Sequence, residues 1–345
     1  MKALLKPFGW MYGAGIQVWE FGWRVGFFRA ETLPVPVISV GSIFAGGSGK
    51  TPLVAWLAGH LKGSGRHPVI LSRGYGRRAR YPVVVTPDRA ETMDWEECGD
   101  EPLILSRQSG CPVAVHADRC LAWRAFQSNG TADLVILDDG FQHRRIRRVL
   151  DLVLIDGIAW FHYRDFLPAG LRREPLTALR RAGAVIVTKI ERINHHQAIK
   201  REIRRYIGDR PIFHLDFSIR ALDYWNGNRL IRVEPPREGW VAVASIAHPE
   251  SFFRELRRQG YRLHQTIRRR DHAPWDEASV ERLVRQCRRT GAERVVTTLK
   301  DWVKLRQYGL PVEVWVADYG VAEAFEREGF LRFVMERVGG SDTTG

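Results

Sequence analysis

The 345-residue chain carries 53 Lys and Arg against 39 Asp and Glu, a formal net charge of +14, on a 45% hydrophobic content ordinary for a globular protein. A chain of this length builds sizeable cores and divides into about two domains. Cys98, Cys111, Cys120 and Cys287 form no C-x-x-C pair and keep no His/Cys ligand spacing, which excludes a zinc ribbon and a disulfide framework and points to reduced thiols in a cytosolic compartment.

The positive excess suits nucleic acid, an anionic membrane or a phosphorylated substrate. Arginine is spread along the whole chain, so a bias in genome composition is a competing source, and charge alone selects none of the three.

Residues 1–30 are rich in aromatics: Phe8, Trp10, Tyr12, Trp19, Phe21, Trp23, Phe27 and Phe28. At helical spacing Lys2, Lys6, Gln17, Glu20 and Arg24 share one arc of about 60°, with large apolar side chains around the rest. Thirteen residues separate Lys6 from Glu20, Pro7 and several glycines among them, where about twenty apolar residues are needed to cross a bilayer. The segment also lacks the clean apolar centre of a signal peptide. It is expected to be an interfacial helix with tryptophans at headgroup depth; a helix packed on the protein's own core is the alternative.

Val37–Thr51, VISVGSIFAGGSGKT, reads as a buried strand, a phosphate-cradling loop and a helix start. Backbone N–H groups from Ala45, Gly46, Gly47, Ser48 and Gly49 point into one concavity, Lys50 reaches β- and γ-phosphate oxygens, and the Thr51 hydroxyl suits Mg²⁺. The strict G-x-x-x-x-G-K-[ST] pattern wants glycine where Phe44 stands, and Gly46, Gly47 and Gly49 supply the flexibility instead.

A second strand, His67–Leu71, runs into SRGYGRR, which sets Arg73 and Tyr75 where ligands of open α/β sheets bind. Between short strands at 83–85 and 113–115 lies CGDEPLIL. Asp100 and Glu101 precede a helix expected from about Pro102, and suit either its N-terminal dipole or the role of a base. DLVILDD is a second phosphate-site strand, apolar along its length with Asp138 and Asp139 at the tip for Mg²⁺. GFQHRRIRR then offers His143 and arginines to an anion, and FLPAGLRREPL carries Arg172, Arg173 and Glu174. VTKIE faintly resembles a guanine-reading motif, with glutamate replacing aspartate.

Up to about residue 212 strands and helices alternate, which predicts a parallel sheet covered on both faces. Beyond Pro211, IFHLDFSIRAL and RLIRVE read as an antiparallel pair around Asn226–Asn228, followed by a smaller α/β unit that contains the Asp271–His272 dipeptide. The expected architecture is therefore α/β: a P-loop NTPase-type parallel sheet sandwiched by helices, with a second smaller α/β domain joined by an antiparallel two-stranded linker. The expected divisions are 1–30, 31–212 and 213–345.

Taken together, VPVISVGSIFAGGSGKTP, LSRGYGRR, GDEPLIL, the HADR of His116–Arg119, DLVILDDGFQH, LPAGLRREP and a late DH followed by TTLKDWVKL resemble the tetraacyldisaccharide 4'-kinase (lipid A 4'-kinase) family, in order across most of the chain. The resemblance implies phosphorylation by ATP, with Mg²⁺, of the 4'-hydroxyl of a tetraacylated glucosamine disaccharide 1-phosphate. It also implies a peripheral enzyme on the cytoplasmic face of a Gram-negative inner membrane, working on a lipid A precursor at an anionic surface. Neither nucleic acid nor an obligate protein partner is expected.

By the same matching Asp100 is the base, His272 supports it, and Lys50 acts on the phosphates. Thr51, Asp138, Asp139 and Glu101 are the expected metal ligands. Arg73, Tyr75, Arg119, His143, Arg173 and Glu174 are the expected substrate contacts. Leu299, Ser245 and His248 depart from the family pattern. The competing reading is a membrane-associated P-loop ATPase or GTPase acting through protein partners.

Overall fold

The computed structural model describes residues 2–162, 165–189, 196–271, 273–322 and 326–339. Eight strands make a first sheet: β1 (Val37–Ser42), β2 (Pro68–Ser72), β3 (Val83–Val85), β4 (Val113–Val115), β5 (Leu134–Asp138), β6 (Leu150–Asp156), β7 (Ala184–Thr188) and β8 (Ile212–His214). Six make a second: β9 (Phe217–Trp225), β10 (Leu230–Arg232), β11 (Trp240–Ala244), β12 (Leu263–Arg268), β13 (Arg294–Thr298) and β14 (Glu313–Val321). The helices, in chain order, are α1 (Lys2–Arg24), α2 (Lys50–Gly63), α3 (Trp95–Cys98), α4 (Asp100–Ser109), α5 (Arg119–Gln127), α6 (Gly157–His162), α7 (His196–Ile207), α8 (Pro249–Arg258), α9 (Glu277–Thr290), α10 (Leu299–Leu305) and α11 (Arg327–Gly339).

The first sheet runs β3-β4-β2-β5-β1-β6-β7-β8, parallel throughout except for the β3–β4 pair. Its strands read as unbroken apolar runs because both faces are covered. Ile70 and Ile136 turn toward α2 and α4, while their neighbours Val69, Leu71, Val135 and Leu137 turn toward Trp123 and Phe126 of α5. The order places β1 between β5 and β6, with Val40 opposite Asp138. The loops after β1, β2, β5 and β7 therefore open on one edge, where open α/β sheets hold ligands.

The antiparallel pair expected around Asn226–Asn228 forms as β9 and β10, and β9 also pairs along its length with β14. The Ile212–His214 segment differs from expectation. It adds to the edge of the first sheet, parallel to β7, rather than to the hairpin; three alternating residues are too few to choose a partner. The two sheets share apolar packing: Leu299, Trp302 and Val303 of α10, with Phe330 and Val334 of α11, join the layer formed by α2 and α4.

The N-terminal segment forms one helix through Pro7. No described helix is long and apolar enough to cross a membrane. Trp10, Met11, Val18 and Phe21 are each more than 60% exposed. The opposite side is seated on the 166–173 loop: a Cβ at Gly9 would lie 3.2 Å from the Phe166 carbonyl oxygen, and one at Gly13 3.0 Å from its ring. Glu20 leaves the solvated arc assigned to it, because its carboxylate turns inward to Arg144 and Arg181.

Candidate active site

The loop after β1 answers the irregularity at Phe44. The Phe44 ring is buried, 6.2 Å from that of Trp160, so this position contributes to the core rather than to the cradle. The Ala45 N–H donates to the Leu171 carbonyl at 2.7 Å. The turning is done by Gly46 (φ 106°) and Gly49 (φ 90°), a region that glycine enters without steric cost. α2 starts at Lys50 with no acidic residue in its first turn, leaving the positive end of its dipole for an anion. Lys50 Nζ lies 3.4 Å from the Gly46 carbonyl oxygen and 3.7 Å from Asp139 Oδ1. Thr51 follows in that same first turn.

The two carboxylates at the tip of β5 are held differently. Asp138 is buried and accepts a hydrogen bond from Ser72 Oγ at 2.8 Å. Burial, and then the negative charges of Glu101 and Asp139, push its pKa up to about 7. Asp139 takes a left-handed backbone (φ 47°) and an ion pair from Arg173 at 2.6 Å. Burial alone would raise it, but Lys50, Arg173 and Arg119 outweigh burial and hold it below the usual carboxylate range. Its Oδ1 is buried without a hydrogen-bond partner among the described residues.

Arg119 is buried beside this pair and donates to the Asp138 carbonyl at 3.3 Å and the Ala117 carbonyl at 2.9 Å. Arg73 is near enough for its charge to act on Arg119, and Tyr75 stands 68% exposed on the same loop.

Asp100 and Glu101 lie inside the first turn of α4, two residues earlier than expected, because Gly99 supplies the turn (φ 95°, ψ 154°) that starts the helix. Each meets a lysine of α10: Asp100 Oδ2 lies 3.1 Å from Lys304 and Glu101 Oε1 2.7 Å from Lys300. Burial lowers the Lys300 pKa, but Glu101, Asp100 and Asp271 more than reverse this and leave it raised. Asp271 is thus near the pair, whereas His272 lies outside the described residues.

Two expected substrate contacts are turned inward. Glu174 is fully buried, accepting from Gln142 Nε2 at 2.7 Å and Arg181 Nη2 at 2.5 Å, so it braces the loop instead of facing an open cleft. His143 is half-buried with Nε2 unpartnered, and burial, then Arg119, push its pKa down to about 4. His143, Asp118 and Cys120 bring donor atoms within 4.8 Å of one another. Asp118 is already committed to the Cys120 N–H and to Arg145.

A model of the family described as tetraacyldisaccharide-1-P 4'-kinase (LpxK) matches residues 1–338. The chain belongs to this family. The tetraacyldisaccharide 4'-kinase of Syntrophotalea carbinolica is 36% identical over 315 residues, covering 90% of this chain and 85% of the relative. That of Aeromonas salmonicida is 36% identical over 308 residues, covering 89% and 85%. A crystal structure of LpxK from Aquifex aeolicus in complex with ATP is similar over 98% of this chain and 99% of that one, with a TM-score of 0.75 at 27% identity. Membership makes this chain an ATP-dependent kinase of lipid A biosynthesis, and the partner-driven ATPase or GTPase reading is set aside.

For a tetraacyldisaccharide 4'-kinase, the sequence reading missed Lys189, Lys300 and Lys304. Lys189 follows β7 directly with a left-handed backbone (φ 59°). Its ammonium pairs with Asp156 and donates to the Gly47 carbonyl at 3.1 Å, while Thr188 Oγ1 donates to the Ser48 carbonyl at 3.3 Å. The end of β7 thus grips the phosphate loop from outside.

Proposed function

We propose that the chain transfers the γ-phosphoryl group of ATP to the 4'-hydroxyl of a tetraacylated glucosamine disaccharide 1-phosphate, with the donor and acceptor sides meeting at the rim of the first sheet. The observation that carries this reading is that Lys50, Asp139 and Arg173 form one charge cluster against the phosphate loop, with Glu101 close enough for its charge to act on the adjoining Asp138. Phosphoryl transfer asks chiefly for positioning and for cations near the transferring oxygens. Lys50 and the N–H groups of Gly46, Gly47 and Gly49 to Thr51 serve the β- and γ-phosphates, those of Ala45 and Ser48 being taken by the Leu171 and Gly46 carbonyls, and Lys189 holds the loop's carbonyls away from them. Asp100 takes the proton of the attacking hydroxyl, and His272 supports it. Arg73, Tyr75 and Arg173 face the acceptor side, and the buried Arg119 holds the Asp138 carbonyl behind them.

The donor set fits Mg²⁺, since Thr51, Asp138, Asp139 and Glu101 offer only oxygen. The unpartnered buried Oδ1 of Asp139 and the crowding of three carboxylates support the same ion. When bound with ATP, the ion offsets charge on the β- and γ-phosphate oxygens. The exposed aromatic side of α1 suits a peripheral position on the anionic cytoplasmic face of the inner membrane, where the acylated acceptor resides.

Incubation of the protein with γ-labelled ATP and the tetraacyldisaccharide 1-phosphate tests the reading. Label is expected in the lipid, and label found only as free phosphate overturns it. Asp100→Asn should lower kcat by about a hundredfold or more while the KM for ATP holds. A parallel loss of ATP affinity would remove Asp100 from the acceptor side.

A further inference from the structure

The face of α1 opposite its exposed aromatics is tied to the segment that holds Asp139. Tyr12 Oη donates to the Arg173 carbonyl at 3.3 Å. Further along α1, the Arg144 guanidinium lies over two of its rings, 5.5 Å from that of Trp19 and 4.8 Å from that of Trp23. The Glu20 carboxylate receives both Arg144, at 3.3 Å, and Arg181, at 2.5 Å.

Arg181 continues to the fully buried Glu174 at 2.5 Å, and Glu174 is fixed in turn by Gln142 at 2.7 Å. The neighbouring Arg173 sends its side chain to Asp139 and its N–H to the Ile43 carbonyl, just before the phosphate loop. Two routes therefore join α1 to the loop that holds Asp139: Tyr12 to Arg173, and Glu20 through Arg181 to Glu174.

An exposed glutamate on an interfacial helix needs no such partners, and surface ion pairs contribute little. Glu20 is instead about four-fifths buried between two arginines, in surroundings where hydrogen-bonded charges hold geometry strongly. The close approach of Gly9 and Gly13 to Phe166 leaves α1 little room to slide over the loop.

We infer that Glu20 and Tyr12 are positioning residues for phosphoryl transfer, through which the seating of α1 on a lipid surface sets the Arg173–Asp139 pair. This rests on the membrane reading of α1 given above and adds to it a connection to the chemistry.

The experiment measures four quantities on the full chain: kcat with the lipid acceptor, the KM for ATP, sedimentation with vesicles of phosphatidylethanolamine and phosphatidylglycerol, and thermal melting. Glu20→Gln is expected to lower kcat on the order of tenfold, as small misplacements of reacting groups do, with ATP KM and vesicle binding within about twofold of the parent. Glu20→Asp should recover part of the rate. The double variant Glu20→Gln/Arg181→Met should be no slower than the slower single one, since residues of one network do not add.

Tyr12→Phe keeps the ring against Phe166 and removes only the hydroxyl. It gives an independent reading if Glu20 variants fold poorly, and a fall in kcat of several-fold is expected. An unchanged kcat in both Glu20→Gln and Tyr12→Phe overturns the inference. So does a fall in vesicle binding that matches the fall in rate, which would make Glu20 a residue of helix seating alone. Failure of the underlying membrane reading looks different: the parent protein itself would not sediment with vesicles.

Discussion

Lys304 Nζ lies 3.1 Å from Asp100 Oδ2, and both side chains are buried. One partner comes from the first turn of α4 and the other from α10, which packs on the same apolar layer, so the carboxylate expected to take the acceptor proton is held by a cation from a helix some 200 residues away in sequence. The Lys304 ammonium also stands 5.3 Å from the Trp95 ring, which adds a cation–π contact. A buried pair of this kind loses heavily when one member is removed, because the other charge is left without compensation.

Lys304→Met is accordingly expected to destabilise the protein by about 3 kcal/mol, read from urea midpoints at constant slope. The double variant Asp100→Asn/Lys304→Met removes both charges and should be more stable than Lys304→Met alone. If the double variant is the less stable of the two, the pair is not what stabilises this junction.

Lys189 makes a separate prediction on the donor side. Its ammonium is shared between the Gly47 carbonyl and Asp156, and its backbone N–H reaches Asp216 Oδ1 at 2.6 Å. Lys189→Met frees the Gly47 carbonyl to turn toward the phosphates. The KM for ATP should rise about tenfold, the loss of one charge-assisted hydrogen bond, with a smaller change in kcat. Asp156→Asn/Lys189→Met controls for the stranded carboxylate, and an unchanged KM would remove Lys189 from the nucleotide site.

Stability should fall on mild acidification through His143. Burial and the neighbouring Arg119 hold this imidazole neutral down to about pH 4, against an ordinary value of 6.5. Between those values the unfolded chain binds the proton and the folded chain does not. The stabilisation is therefore complete above pH 6.5 and is lost as pH drops toward 4. For a group that is only partly buried this is worth about 2 kcal/mol at most. Urea denaturation at pH 7.5 and pH 5 should show a larger loss for the parent than for His143→Gln; equal losses would place the acid sensitivity elsewhere.

The donor side was legible because its chemistry is local in sequence. A strand, a glycine loop and Lys50–Thr51 are contiguous, and the Asp138–Asp139 strand needed only one parallel pairing to join them. The burial of Glu174 was not legible, because a glutamate beside arginines looks the same in sequence whether it faces solvent or the interior; only the fold reveals Gln142 and Arg181 on it. Lys300 and Lys304 were missed because their partners lie some 200 residues away. A signal was present nonetheless. Only eight of the 53 basic residues are lysines, and Lys50, Lys189, Lys300 and Lys304 all converge on this site, where a compact ammonium suits single carboxylates and carbonyls better than a planar fork. The i, i+4 spacing of Lys300 and Lys304 further marks one face of a helix.

Gly49 offers the sharpest test of the phosphate loop. Its φ of 90° disfavours any side chain, and an added Cβ would lie 2.2 Å from the Phe217 ring at the start of β9. Two penalties therefore act on Gly49→Ala: backbone strain of about 1–3 kcal/mol and a steric clash with an aromatic from the second sheet. They separate experimentally. Phe217→Ala removes the clash and leaves the strain, so Gly49→Ala/Phe217→Ala should bind ATP more tightly than Gly49→Ala but more weakly than Phe217→Ala. Nucleotide titration by calorimetry of the three variants measures both steps. If Gly49→Ala binds ATP as the parent does, the loop does not hold this backbone when nucleotide is present, and the cradle assigned to residues 45–51 must take another shape.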